Sequence, residues 1–145
     1  MGRGYALIHG VLLDGSREKK PQDVRKLVRK VTANGLMRRL SYGLCAALVR
    51  PEVYSGVTTI RTVGGILDYD SRLRDEINAG KKTGPRILAA NMAVSVPGGH
   101  MAGSLAYEAN SAEEAAAYVR KVAETKPDLI KLMITGGVLD ATKRG

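Results

Sequence analysis

The 145-residue chain has no tryptophan, no phenylalanine and one cysteine. Six tyrosines are its only aromatics, so any core must be mainly aliphatic. A single cysteine excludes an internal disulfide framework. Cys45 lies in the mostly apolar run Leu44 to Val49, which reads as a buried structural thiol rather than a nucleophile. No apolar stretch approaches the roughly 18 residues of a membrane span. The run Tyr5 to Ile8 is too short for a secretory core and is soon interrupted by Gly10 and Asp14. The expectation is a cytoplasmic protein with no membrane partner. Histidine is also scarce: His9 and His100 are the only two, far apart in the chain. Acidic residues are few at the start. The first fifty residues hold 11 Lys and Arg against 3 Asp and Glu, while the remainder holds 12 against 11. Such asymmetry can mark a segment that binds nucleic acid or a membrane surface. A basic solvated helix face is the plainer reading. The lack of aromatics among the basic residues disfavours nucleic acid.

What is present suits one domain with an ordinary hydrophobic fraction of 44%. Residues 5–13, YALIHGVLL, read as a short strand closed by Asp14-Gly15. From Asp23 the period changes. Val24, Leu27, Val28 and Val31 mark one helix face, and Asn34-Gly35 breaks or caps that helix. A second run puts Leu36, Leu40 and Leu44 on one stripe and ends near Pro51. GVTTIRTV at 56–63 is β-rich, and Gly64-Gly65 closes it. Asp68 or Asp70 can cap a helix to about Ala79, with Leu73 and Ile77 facing inward. RILAANMAV reads as one buried strand, followed by the glycine-rich loop VPGGHMAGS. Ser111 and Glu114 have capping-box spacing before an Ala-rich helix from 112 to about 124. LIKLMI is a last short strand, ended by Thr135-Gly136-Gly137. Buried strands separated by helices argue for parallel βαβ units, in a β/α barrel or an open sheet.

Five segments in order, GVTTIRTVGG, LRDEINAG, GPRILAA, VPGGH and DLIKLMITGGV, resemble consecutive pieces of amidohydrolase-superfamily enzymes. The branch they are most similar to is imidazolonepropionase-like and Xaa-Pro dipeptidase-like. The resemblance implies an α/β fold that is part of a (β/α)8 barrel. Residues 56–63, 86–93 and 129–134 would be its strands 2, 3 and 4, and the helical stretch 22–49 would precede strand 2. Residues 1–20 would then be a remnant of the family's β-sandwich strand and a linker, and residues 21–145 the partial barrel. The implied activity is hydrolysis of amide C–N bonds in cyclic amides or dipeptide-like substrates. The implied cofactor is a pair of divalent metals, zinc by family habit, which would lower the pKa of a bound water and polarise the carbonyl. The family's His-X-His motif is missing here, as are counterparts of its later histidines and its strand 8 aspartate. The chain by itself is therefore expected to be an incomplete and inactive portion of such an enzyme.

Lys131 is the sharpest single residue. It lies between Leu129-Ile130 and Leu132-Met133 in a strand-like run. Burial there would disfavour its charged form, and a neutral amine can add carbon dioxide to become a carbamate. A carbamate has two oxygens and can bridge two metals. The matching lysine of the family is such a ligand, and the resemblance makes Lys131 the metal-ligand position. The alternative is an edge lysine reaching out to water. His100 follows Gly98 and Gly99, which let backbone approach a ligand. The resemblance makes it a substrate-binding residue; a surface loop histidine is the other reading. Gly136-Gly137 could form an anion-accepting nest, and Arg61 is an inward-pointing candidate for an internal ion pair. Outside the resemblance, the alternatives are a basic anion-binding module and a non-catalytic half-barrel that forms homo-oligomers through exposed strand edges.

Overall fold

The computed structural model describes residues 24–136. The expected strand at 5–13, with His9, and the tail from Gly137 lie outside them. The described residues form a mixed α/β fold with four helices and two small parallel sheets.

Helix α1 (Val24–Val31) and helix α2 (Gly35–Tyr54) come first. Asn34 stops the first helix by starting the second. Its backbone is extended and its side-chain oxygen accepts the Met37 N–H at 2.9 Å. The buried side of α2 is Tyr42, Cys45 and Val49, at spacings of three and four. Burial raises the pKa of the Cys45 thiol to about 11, as suits a structural thiol. Leu36, Leu40 and Leu44, expected on one stripe, do share a side of the helix, and that side faces outward. Tyr42 wins the inward side by packing edge-on against Tyr69, with ring centroids 5.4 Å apart, and beneath the Arg72 guanidinium at 4.0 Å. The helix also runs past Pro51, to Tyr54.

Strand β1 (Thr59–Arg61) pairs in parallel with β2 (Arg86–Leu88), Ile60 opposite Ile87. Between them, helix α3 (Tyr69–Asn78) buries Leu73 and packs on β2. Arg61 is exposed, so it does not point inward. Strand β3 (Ala93–Ser95) is buried throughout and is flanked by β4 (Ala106–Glu108) and β5 (Leu132–Met133), both parallel to it. Helix α4 (Ala112–Ala123) precedes β5 and is capped as its spacing predicts. Ser111 Oγ accepts the Glu114 N–H at 3.2 Å, and Glu114 reaches back to the Asn110 N–H at 2.8 Å.

RILAANMAV is not one strand. It breaks at Asn91, whose φ of 57° is left-handed, and this break separates β2 from β3, which lie in different sheets. Around the break the chain pairs with the approach to β5. Ala89 carbonyl accepts the Asp128 N–H at 2.8 Å, and the Asp128 carboxylate accepts the Ala89 N–H at 2.8 Å. Strand β4 lies between the expected glycine-rich loop and the expected helix, where the sequence reading placed no element. Only turns connect it to β3, among them Gly98, Met101 and Gly103 with positive φ.

Candidate functional site at the strand ends

In parallel α/β folds, chemistry gathers at the C-terminal ends of the strands, where the following loops converge. Here those loops are Thr62–Asp68 after β1, Val96–Leu105 after β3, and Ile134–Gly136 after β5. They touch one another. The His100 N–H donates to the Thr135 carbonyl at 3.1 Å, joining the loops after β3 and β5. Gly64 sits so close to β3 and β5 that a Cβ there would lie 3.3 Å from Met133 Cε and 3.8 Å from Ala93 Cβ. Leu67 and Met101, both non-glycine residues with positive φ, lie in two of these loops. Strained backbone of this kind persists only where its surroundings hold it.

Lys131 immediately precedes β5 rather than sitting inside it, and it is half-buried. Its carbonyl accepts the Val94 N–H at 2.9 Å, so its backbone continues the ladder with β3. Side chains two apart in extended chain leave on the same side. Lys131 therefore shares the side of Met133, which is buried toward Gly64 and Ala93. Leu132 and Ile134 leave on the opposite side and are exposed. His100 is half-buried at the turn, and Gly136 closes the described chain. The loops thus bring His100 and the run after Lys131 to one rim. Gly137, the second half of the expected nest, lies outside the described residues.

Beneath the loop after β1 is a buried polar network that the sequence reading missed. Of the two expected caps, Asp68 occupies the N-cap of α3, with no side-chain cap hydrogen bond, while Asp70 in the first turn is buried and its Oδ2 accepts the Asn91 N–H at 3.2 Å. Burial raises its pKa above the ordinary carboxylate range, against the hydrogen bonds from Thr62 and the Asn91 N–H, which pull it down. The Gly65 N–H donates to the Asn91 carbonyl at 2.7 Å. Asn91 Oδ1 accepts the Ser71 N–H at 3.0 Å, while its Nδ2 donates to Ser71 Oγ at 2.9 Å and Thr125 Oγ1 at 2.8 Å. One residue thereby ties the β1 loop, the start of α3 and the end of α4 together. The signal that could have found it is an asparagine in the middle of an otherwise apolar strand-like run, a place where a buried amide needs partners.

Two clefts of about 470 and 270 Å³ open elsewhere, over α3 and the end of α4. Neither is lined by Lys131 or His100. The larger is walled by the charged residues Asp68, Arg72, Asp75, Glu76 and Lys81, an ordinary solvated helix face. The convergence of loops at the strand ends makes that rim the better candidate. Its described residues do not make a metal centre by themselves: among them no three His, Cys, Asp or Glu side chains are grouped to hold an ion.

No family model matches the sequence, and no curated protein is similar to it. Solved structures are. A Xaa-Pro dipeptidase structure with methionine bound in its active site is 34% identical, with a TM-score of 0.62 over 70% of this chain and 28% of that one. An amidohydrolase structure at 24% identity has a TM-score of 0.64 over 79% of this chain and 31% of that one. A prolidase complexed with N-methylphosphonate-L-proline, at 21% identity, has a TM-score of 0.64 over 81% and 31%. The last two likenesses are of fold alone. The chain spans less than a third of the length of each of these proteins. The fold is therefore amidohydrolase-like over the matched part. Within that class the 34% likeness is to a Xaa-Pro dipeptidase structure, in agreement with the branch that the five sequence segments resemble.

Proposed function

We propose that this chain is part of a metal-dependent hydrolase of amide C–N bonds, acting on cyclic amides or dipeptide-like substrates. In this reading residues 21–145 supply strands 2 to 4 of a (β/α)8 barrel with their helices. Strand β1 is the second barrel strand, the broken pair β2 and β3 the third, and β5 the fourth. Residues 1–20 belong to a β-sandwich strand and linker. Lys131 is a metal ligand as its carbamate, and His100 contacts substrate. Two divalent ions, zinc by preference, would be the cofactor, with donors beyond the described residues completing the set. Hydrolytic steps through the metals do not follow from the residues described here.

The observation that carries the reading is the place of Lys131. It immediately precedes a parallel strand, on the side shared with the buried Met133, and the run that follows it meets the loop bearing His100 at Thr135. A half-buried lysine there shares the side on which Met133 packs toward Gly64 and Ala93. The purified chain, incubated with ¹³C-bicarbonate and zinc, should show a carbamate carbon by NMR that disappears in Lys131→Ala. An identical signal in that variant would overturn the assignment. The chain alone should hydrolyse proline dipeptides and cyclic amides no faster than buffer with zinc. Robust turnover, abolished by a chelator, would show that this chain needs no complement.

A further inference from the structure

Helix α2 carries an apolar ridge on its outward side. Leu36, Leu40 and Leu44 are 65%, 58% and 53% exposed, Leu48 continues the row, and Tyr54 stands exposed at its end. The four-residue spacing sets the leucines in one line about 18 Å long. Gly43 and Ala47, also exposed, lie beside it. An uncovered apolar surface of this kind marks a contact site. Its surroundings are mostly basic. Residues 25–54 contain seven Lys and Arg, all exposed, against one acidic residue, the half-buried Glu52, which follows Leu48 in the row. Arg39 lies one turn from Leu36 and Arg50 one turn from Ala47, so both border the ridge.

Charge decides between occupants. A second copy packed here about a two-fold axis would set this basic rim against itself. Nucleic acid would satisfy the arginines but leave the leucines in water, and Tyr54 is the only exposed aromatic on the helix. A convex row of leucines edged by arginines suits an anionic bilayer. The leucines enter the acyl boundary while the arginines remain among the phosphates. We propose that the outward face of α2 docks on an anionic lipid surface. The expectation of no membrane partner came from the lack of a spanning run, and surface docking requires none. The proposal uses no residue of the strand-end rim, so its test can fail without touching the hydrolase reading.

The test is co-sedimentation of the full chain with phosphatidylcholine vesicles, with and without about a quarter phosphatidylserine, at low and physiological salt. The chain should pellet with the anionic vesicles only, and less so as salt rises. Leu40→Glu with Leu44→Glu should weaken binding at least tenfold. Arg39→Ala with Arg50→Ala should weaken it about twenty-five-fold, near fivefold for each charge. All four positions are exposed, so circular dichroism should remain that of the native chain. Absence of pelleting with anionic vesicles at low salt would overturn the proposal, as would undiminished binding by the leucine variant. Conversion of a dimer to a monomer by the leucine variant, without vesicle binding by either form, would assign the face to a second copy. Binding of RNA that survives the leucine variant and exceeds vesicle binding would assign it to nucleic acid.

Discussion

Replacing Asn91 by alanine tests the frame on which the strand-end loops rest. The side chain is buried and does two separable things. It satisfies neighbours, above all the buried Ser71 N–H, which donates to Oδ1 at 3.0 Å. It also belongs to a residue type that tolerates the left-handed backbone, here with φ of 57°. Losing the first function strands a buried donor, at about 1–3 kcal/mol. Losing the second costs about 1–2 kcal/mol more, because alanine's Cβ crowds the carbonyl in that conformation. Asn91→Ala should therefore lose roughly 2–5 kcal/mol, a large share of the ~5–15 kcal/mol typical of a domain. Asn91→Gly loses the hydrogen bonds but relieves the backbone. It should be the more stable of the two by about 1 kcal/mol, once glycine's extra freedom in the unfolded chain is counted. Urea unfolding followed by circular dichroism reads both. The reasoning fails if alanine costs under about 1 kcal/mol, or if glycine proves worse than alanine, for then neither the network nor the backbone is under the constraint described.

Asp128 and Asp70 should give pH dependences of opposite sign. The Ala89 N–H and the Arg74 guanidinium, at 2.8 Å, hold Asp128 below the usual carboxylate range. Its contribution is therefore present above the unfolded value near 4 and lost as pH falls through the folded one. Asp128→Asn should be less stable than the native chain at pH 7 and draw level with it toward pH 2; a gap that does not change with pH would refute this. Burial holds Asp70 above its unfolded value, so its folded form keeps a proton that the unfolded chain releases. Stability should fall as pH rises from about 4 through the raised value, and Asp70→Asn should flatten that slope. An unchanged slope between pH 4 and 8 would exclude Asp70 as its source. Gly65→Ala would place a methyl group 2.6 and 2.8 Å from the two Asp70 carboxylate oxygens, and should cost about 1–3 kcal/mol in a denaturation series. Gly84→Ala crowds the movable Ile77 side chain, with Val49 Cγ1 at an ordinary 3.6 Å, and should cost less; a reversed order would show that the Asp70 carboxylate is not held in place.

Local signals were legible where one interaction dominates. Ser111 and Glu114 define the start of α4 because a cap is made by near neighbours. Leu73 is inward as its period predicts. The failures lie where distant contacts outvote the local pattern. The leucines of α2 form the stronger stripe in sequence, yet Tyr42, Cys45 and Val49 face the core, because Tyr69 and Arg72, some thirty residues on, pack against Tyr42. Asn91 reads as an interruption of a strand until its partners, Ser71 and Thr125, are known. Strand β4 is three residues beside a strand buried on both sides, and nothing in AYE alone announces it. Of the candidate site, the loops and the likeness to a Xaa-Pro dipeptidase structure could be read in the motifs. The side on which Lys131 leaves β5 could not, since that depends on register with β3.

That register also relates the two faces of β5. Because side chains alternate, placing Lys131 on the side of Met133 forces Leu132 and Ile134 to the other, where they stand exposed. In an α/β layer that outer side is covered by a helix, and burying two such side chains fully would contribute about 3–6 kcal/mol. The same energetics that make Lys131 a candidate ligand thus require a covering element over Leu132 and Ile134 in the hydrolase reading. If β5 sat in the opposite register, the leucine and isoleucine would be buried and the lysine would reach water. Lys131→Met distinguishes the two. On the buried side it should stabilise the chain in urea, because a partly desolvated amine is replaced by an apolar group of similar length; a lysine already in water would give no gain, and the candidate metal ligand would then be on the wrong side of its strand.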